Sequence, residues 1–274
     1  MSSKITIISP KGKSLIYSIR EFWEYRDLLY MLTLRHISVR YKQTVIGVAW
    51  VLIQPLVSMT IFTIIFGNLV KVPTDGIPYP IFVYSALVLW GLFSESISRS
   101  GASLINEAQL ITKVYFPRLI IPLAAVGSAW IDFVISLFLL IPLTFIYGMR
   151  PTWPLLLIPF VMVVTMVFSA GIGVILAALN ARYRDFQYVI PFLIQIWLFS
   201  SPVVYSVQIV PKHLLFWYYL NPMAGLLDTF RFAVTGQTAL SRIGLSWSIF
   251  CAIAIFSIGT SVFRSVESNF ADYI

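Results

Sequence analysis

Charged residues are scarce in this chain. Asp, Glu, Lys and Arg make up 11% of its 274 residues, against about 25% in an ordinary soluble domain. With 59% hydrophobic residues and a mean hydropathy of +0.87, the chain reads as an all-α polytopic membrane protein. Cysteine is almost absent. The single Cys251 lies in an apolar run, which excludes an internal disulfide and a Cys-based metal site. No G-x-x-x-x-G-K-[ST] phosphate loop, H-E-x-x-H pair or Cys/His cluster with metal spacing occurs. The chain therefore offers no catalytic, cofactor-binding or metal constellation, and any uphill transport draws its energy from a partner or an ion gradient. Acidic residues are outnumbered, giving a net charge of +8. The basic residues stand at the ends of apolar spans rather than along one face, which argues against nucleic acid. Lys4, Lys11 and Lys13 precede no continuous apolar core, so no cleavable signal peptide is expected.

What is present is a series of long apolar runs. Six of them, at 45–70, 81–98, 119–147, 155–179, 189–205 and 244–263, are expected to span the membrane, and 1–274 reads as one transmembrane domain. The first contains Gln54-Pro55, whose proline frees a backbone carbonyl that protein or water must satisfy. The second carries Glu95 and Arg99 at i and i+4, spaced to pair. In the third, Asp132 lies about 20 Å beyond Arg118 along a helix. It is read either as a functional intramembrane carboxylate or as one hydrogen-bonded to a neighbouring helix. Gly171 and Gly173 permit close helix contact in the fourth. Pro73, Asp75, Gly76, Pro78 and Pro80 mark one external turn; Arg150, Pro151 and Pro154 mark another.

The remaining segments are not spans. Residues 20–43 are expected to form an interfacial helix with two apolar stripes, Tyr30, Leu34, Ile37 and Tyr41 opposite Leu28, Leu32 and Val39, flanked by Arg35, His36, Arg40 and Lys42. Packing between the membrane surface and the bundle accounts for both stripes; a basic anchor to anionic lipid accounts for the charges. Residues 106–118 form a polar, basic island with about two helical turns before Pro117. Turns that short need a partner surface, so the island is read as a docking element, with a solvated loop as the alternative. Residues 180–186 make a second basic island on the same side. From 213 to 235 two half-length helices meet at Asn221-Pro222, which fits a re-entrant pair or an external lid. Basic residues concentrate on the island side, leaving Lys71, Arg150, Lys212, Arg231 and Arg242 opposite. Both termini are thereby assigned to the cytoplasm.

Several stretches together resemble a known family. They are Arg40-Tyr41-Lys42-Gln43-Thr44 with Gly47, Trp50 and Gln54-Pro55; Phe116-Pro117-Arg118 with Ile121-Pro122; Asn180 to Asp185; Ser201-Pro202 with Tyr205; and Leu220 to Met223 with Asp228 and Arg231. In this order they resemble the membrane subunit of type-2 ABC exporters that carry polysaccharide, lipopolysaccharide O-antigen or teichoic acid. The resemblance implies a homodimer in a bacterial inner membrane, each copy docked to a separate cytoplasmic ATPase that holds the ATP and magnesium. It implies that the interfacial helix and the island contact that ATPase, through Arg35, Arg40, Gln109, Leu110, Lys113, Tyr115, Phe116 and Arg118.

The re-entrant pair would form an external gate built on Asn221, Pro222, Leu226, Leu227, Asp228, Phe230 and Arg231, with Leu226, Leu227 and Phe230 as an apolar constriction. A channel between the copies would be lined by the first and fifth spans. Pyranose C–H faces pack on aromatic rings, making Trp50, Phe62, Trp90, Trp197, Phe199 and Tyr205 candidate lining residues. Aromatics also gather at membrane interfaces and in bundle cores, which stands as the other reading. The expected cargo is a lipid-linked polysaccharide, foremost O-antigen. Teichoic acid, capsular polymer, or a small molecule or lipid are the alternatives within the family. A glycan-building enzyme would need clustered carboxylates at the cytoplasmic surface, and Glu107 and Asp185 stand isolated.

Overall fold

A computed structural model describes residues 23–42, 47–74, 76–114, 116–149, 152–237 and 240–267. Lys4, Lys11, Lys13, Arg20, Gln43, Thr44, Asp75, Tyr115, Arg150 and Pro151, used above, lie outside them. The described chain contains five helices long and apolar enough to cross a membrane, together with shorter apolar helices.

Helix α1, Arg26–Lys42, lies along the bundle rather than in it. Leu32 is its one buried residue, packed with Ile120 and Ala124, and Leu28 leans on the same cluster. Thr33 sits against Gly127, where a Cβ would come within 3.2 Å of the Thr33 side chain. Of the two expected stripes, Leu28 and Leu32 thus face protein. Tyr30, Leu34 and Val39 stay exposed.

Helix α2, Ala49–Phe62, continues as a π-helical segment, Thr63–Leu69. No residue of either is buried, although the run is apolar enough to span. Helix α3, Tyr79–Asn106, is the centre of the molecule, and the helices Ile120–Ile146, Ile158–Arg182 and Pro222–Thr235 pack on it. It runs eight residues past the expected end at Ser98, with Arg99 inside the helix. The island then folds as a six-residue helix, α4, Ala108–Lys113, before Pro117 and helix α5, Ile120–Ile146.

A 3-10 turn, Trp153–Leu157, leads into helix α6, Ile158–Arg182. The expected close approaches occur here. A Cβ on Gly171 would lie 2.6 Å from the backbone nitrogen of Phe256, and one on Gly173 would lie 2.6 Å from the Ser100 side chain. Helix α7, Phe186–Ser200, has 15 residues, so it rises only about 22 Å and falls short of a core of about 30 Å. The run expected to extend to Tyr205 is broken near its end at Ser200-Ser201-Pro202, the break its sequence predicts: Ser201 turns extended ahead of Pro202.

The short pair is helix α8, Leu215–Leu220, and helix α9, Pro222–Thr235. Asn221 between them accepts a hydrogen bond from the Met223 N–H, and Gly236 ends α9 in the left-handed conformation. The last helix, α10, Arg242–Glu267, packs on α6 and α9.

Candidate functional site

At the end of the bundle carrying residues 106–118, α1 and α4 share one surface. Arg35 Nη1 donates to Glu107 Oε2 at 3.0 Å, and His36 Nε2 lies 4.0 Å from the other carboxylate oxygen. Burial pushes the His36 ring below its ordinary pKa of 6.5, with Glu107 pulling it back up and Arg35 pushing it further down. Beside this contact an open depression of about 520 Å³ is lined by Arg35, Asn106, Gln109, Leu110, Lys113 and Val114. Gln109, Lys113 and Val114 are exposed there.

Three other residues expected to face an ATPase, Phe116, Arg118 and Arg40, are engaged within the subunit. Phe116 is buried with Leu104, Ile111 and Ile121, because the ring before Pro117 is drawn into the apolar floor under α4. Arg118 donates to the Glu267 carbonyl at 2.7 Å while its backbone N–H reaches the Glu267 carboxylate at 3.0 Å, so it ties the island to the end of α10. Arg40 points up into the bundle instead, where carboxylates await it.

Those carboxylates are Glu95 on α3 and Asp132 on α5. Arg40 Nη1 lies 3.2 Å from each, Arg99 Nη2 lies 2.8 Å from Glu95, and Arg99 also bonds Asp132 and, at 3.0 Å, the Ser128 hydroxyl. Tyr41 donates its hydroxyl to Asp132, and burial together with that contact pushes its phenol pKa up. The expected Glu95–Arg99 pair is there, and Asp132 is compensated by two guanidinium groups rather than standing alone. Two opposed pairs satisfy one another where isolated charges would be costly.

The external pair differs from the expected gate in one respect. Leu226, Leu227 and Phe230 are fully buried in the subunit's own core, Phe230 meeting the Phe133 ring at 6.0 Å. They do not present a free constriction. The cause is the small residues of α9: a Cβ on Gly225 would come 2.4 Å from the Gly244 carbonyl oxygen, so α9 is pulled flat onto α10. Asp228 and Arg231 do face each other at 3.7 Å. Arg231 further donates to the carbonyls of Phe82 and Val203, at 3.3 and 2.8 Å, and lies 3.7 Å over the Phe82 ring. The open aromatic surface of the pair is on α8, at Phe216 and Trp217.

The candidate lining aromatics divide in the same way. Trp50 and Phe199 are largely exposed, and Phe62 and Tyr205 are half-buried. Trp90 and Trp197 belong instead to an internal aromatic cluster, with Phe93 lying 5.2 Å from Trp90 and 5.0 Å from Trp197, and Phe168 stacked on Phe93 at 5.5 Å. Flat rings on three facing helices fill that core. Trp197 Nε1 donates to Asn221 Oδ1 at 3.0 Å, and the Asn221 amide reaches Ser200 and Ser201, which pins the α8–α9 turn to the end of α7. Pro222 follows as the first residue of α9, and its carbonyl accepts from Ser248 at 2.6 Å. Neither the Asn221 clamp nor the Arg40–Asp132 contact had a local sequence signal, since each partner lies far along the chain.

Comparison with known proteins bears on the whole arrangement. The chain is 28% identical over 265 residues to the O-antigen export system permease protein RfbA of Myxococcus xanthus, covering 95% of this chain and 100% of that protein. A Klebsiella pneumoniae protein of the same name is 28% identical over 252 residues, covering 90% of this chain and 95% of its own length. The polysialic acid transport protein KpsM of Escherichia coli is 26% identical over 256 residues, covering 86% and 92%. Residues 27–235 match the ABC-2 type transporter family, a match that takes in α1, the island, the charge network and the short helix pair. The chain therefore belongs to the ABC-2 type transporter family as a multi-pass membrane permease subunit, a kind of subunit that carries no ATPase of its own and works with a separate nucleotide-binding partner.

Proposed function

We propose that this chain is the membrane subunit of an ATP-driven exporter that moves a lipid-linked polysaccharide, foremost O-antigen, outward across the bacterial cytoplasmic membrane. The observation that carries the reading is similarity along nearly the whole chain to permeases named for polysaccharide export. O-antigen is favoured over a capsular polymer because the matches to the O-antigen permeases cover 95% and 90% of this chain, against 86% for KpsM.

Two copies form the conduit in this reading. Supporting it, α2 and its π-helical continuation together, Ala49–Leu69, are long enough to span yet contain no buried residue within their own subunit, and expose Trp50, Ile53, Val57, Ile61 and Ile64. An apolar span without packing partners on most of its surface suits lipid on one side and a second subunit on the other. The sixth crossing is α7 with the chain that follows to Tyr205, and both termini are cytoplasmic. The ATPase, with its ATP and magnesium, docks on the depression between α1 and α4, where Arg35, Gln109 and Lys113 meet it. Arg40 and Arg118 hold the surface in position from behind. The α8–α9 pair closes the external end, with Phe216 and Trp217 of α8 as its open face.

Disrupting this subunit in its host is the test. Antibody to the polymer should then stain permeabilised cells but not intact ones, since synthesis continues while export stops. Undiminished staining of intact cells would refute the polysaccharide reading.

A further inference from the structure

Of the residues of α7 only Ile190 is buried, so one flank of this helix stands off from its own subunit. There, between α3, α6 and α7, lies a cavity of about 270 Å³ lined by Ile97, Leu176, Ile190, Leu193, Ile194 and Trp197 among others. The polar side-chain groups on its walls are already committed. The Ser200 hydroxyl donates to the Ile196 carbonyl at 3.0 Å, and Trp197 Nε1 donates to Asn221 Oδ1 at 3.0 Å. A buried water needs roughly two to four polar partners, so this cavity takes hydrocarbon.

Below it the chain turns basic. Ala181, at the end of α6, packs with Ile111 and Phe116, which places the turn from α6 to α7 at the same end of the bundle as the 106–118 island. Arg182, Tyr183 and Arg184 are exposed there, the Arg182 guanidinium lying 5.1 Å from the centre of the Tyr183 ring. Among the described residues neither arginine is paired with a carboxylate. Asp185 is exposed beside them, so two arginines against one aspartate leave the turn with a net positive charge.

The spacing of these two features identifies what spans them. Leu176 precedes Arg182 by six residues, about 9 Å along α6. The headgroup layer on each side of a bilayer's hydrocarbon core is of similar depth, about 5–8 Å. A sugar finds no free hydrogen-bond partner in the cavity, and a helix about 10 Å across covers the opening without filling it. A lipid with an anionic head meets both parts, since guanidinium groups take phosphate oxygens two at a time and basic pockets between helices hold such headgroups.

We infer that each subunit holds one anionic phospholipid from the leaflet on the island side, with its phosphate on Arg182 and Arg184 and one acyl chain in the cavity between α3, α6 and α7. The other chain stays in the bilayer. The bound chain gives α7 the packing that its own subunit withholds, and the site is independent of what the exporter carries.

The test uses the subunit with its co-purifying ATPase, weighed intact by native mass spectrometry before and after lipid is stripped in detergent. Phosphatidylglycerol and phosphatidylcholine with identical chains are then titrated in turn. Phosphatidylglycerol should add one molecule per subunit and bind about thirtyfold more tightly, the preference expected from two arginines near a headgroup. Arg182→Gln with Arg184→Gln should bring the two lipids to equal affinity, whereas Arg26→Gln, at an exposed arginine of α1, should leave the preference unchanged. Leu193→Trp, at an exposed lining position, fills the cavity and should weaken both lipids. Equal binding of the two lipids by the unaltered complex, or a preference that survives loss of both arginines, overturns the headgroup site. Unchanged affinities in Leu193→Trp overturn the seat of the chain. A glycan-linked lipid in place of phospholipid in the unstripped complex, released by loss of the two arginines, overturns phospholipid as the occupant.

Discussion

Arg35 Nη1 lies 3.0 Å from Glu107 Oε2 across 72 residues of chain, fastening α1 to the residue from which α4 starts. The Arg35 side chain is 56% exposed, so the pair contributes at most about 1 kcal/mol to stability. Its importance is positional, because α4 is too short to hold itself. Glu107→Gln should therefore insert and purify normally while export per ATP hydrolysed falls several-fold, read from both rates in the same vesicles. The charge-reversed double variant, Arg35→Glu with Glu107→Arg, should recover part of the loss. An unchanged ratio in the single variant would remove this contact from the route between ATPase and conduit.

The neighbouring His36 gives a pH dependence with a definite sign. Burial lowers its folded-state pKa below 6.5, so as pH falls through 6.5 the unfolded chain takes up the proton first. Its contribution then falls, and the thermal midpoint in detergent should decline below pH 6.5 and be flat above it. His36→Gln should flatten the decline. The same slope in that variant would assign the effect to other groups.

Asp228 and Arg231 form a buried pair, exposed 7% and 1%. Removing one partner leaves a charge uncompensated in the interior, which costs about 3–5 kcal/mol. Asp228→Asn or Arg231→Met alone should sharply reduce the yield of folded protein. The double variant should regain much of it, as judged by size-exclusion profile. Equal yields from single and double variants would show that Arg231 acts through the Phe82 and Val203 carbonyls instead.

Topology follows from the crossing assignment. With Cys251 replaced, single cysteines at Thr152 and Gln208 should react with an impermeant reagent in intact cells, whereas those at Lys113 and Arg184 should react only after permeabilisation. Labelling of position 113 from outside would invert the orientation, and equal shielding of 152 and 208 would contradict six crossings.

The sequence was informative where the physics is local. Glu95 and Arg99 pair because i and i+4 share a helix face, and Asn221-Pro222 breaks a helix because Asn caps and Pro opens the next one. Gly171 marked a close approach for the same kind of reason. Illegible features depend on partners distant in the chain. Nothing near Arg40 reveals that Asp132 is its neighbour, and amphipathic spacing on α9 could not reveal that Gly225 would bring the whole helix into the core. Hydropathy alone carries the fifth run on to Tyr205, and it is Ser200-Ser201-Pro202 that marks the break where the helix ends, at Ser200. In an apolar run the pattern is the same whether the chain is helical or turning, and only the proline distinguishes them.

Coupling of ATP hydrolysis to glycan movement is measured most directly in vesicles containing the purified subunit, the ATPase that co-purifies with it and the host's lipid-linked polysaccharide. With the ATPase facing the bath, added ATP and magnesium should carry polymer into the lumen, where it resists a glycosidase supplied outside. An ATPase unable to hydrolyse ATP should abolish that protection. Steady ATP hydrolysis with every polymer chain still open to the glycosidase would contradict polysaccharide export by this subunit.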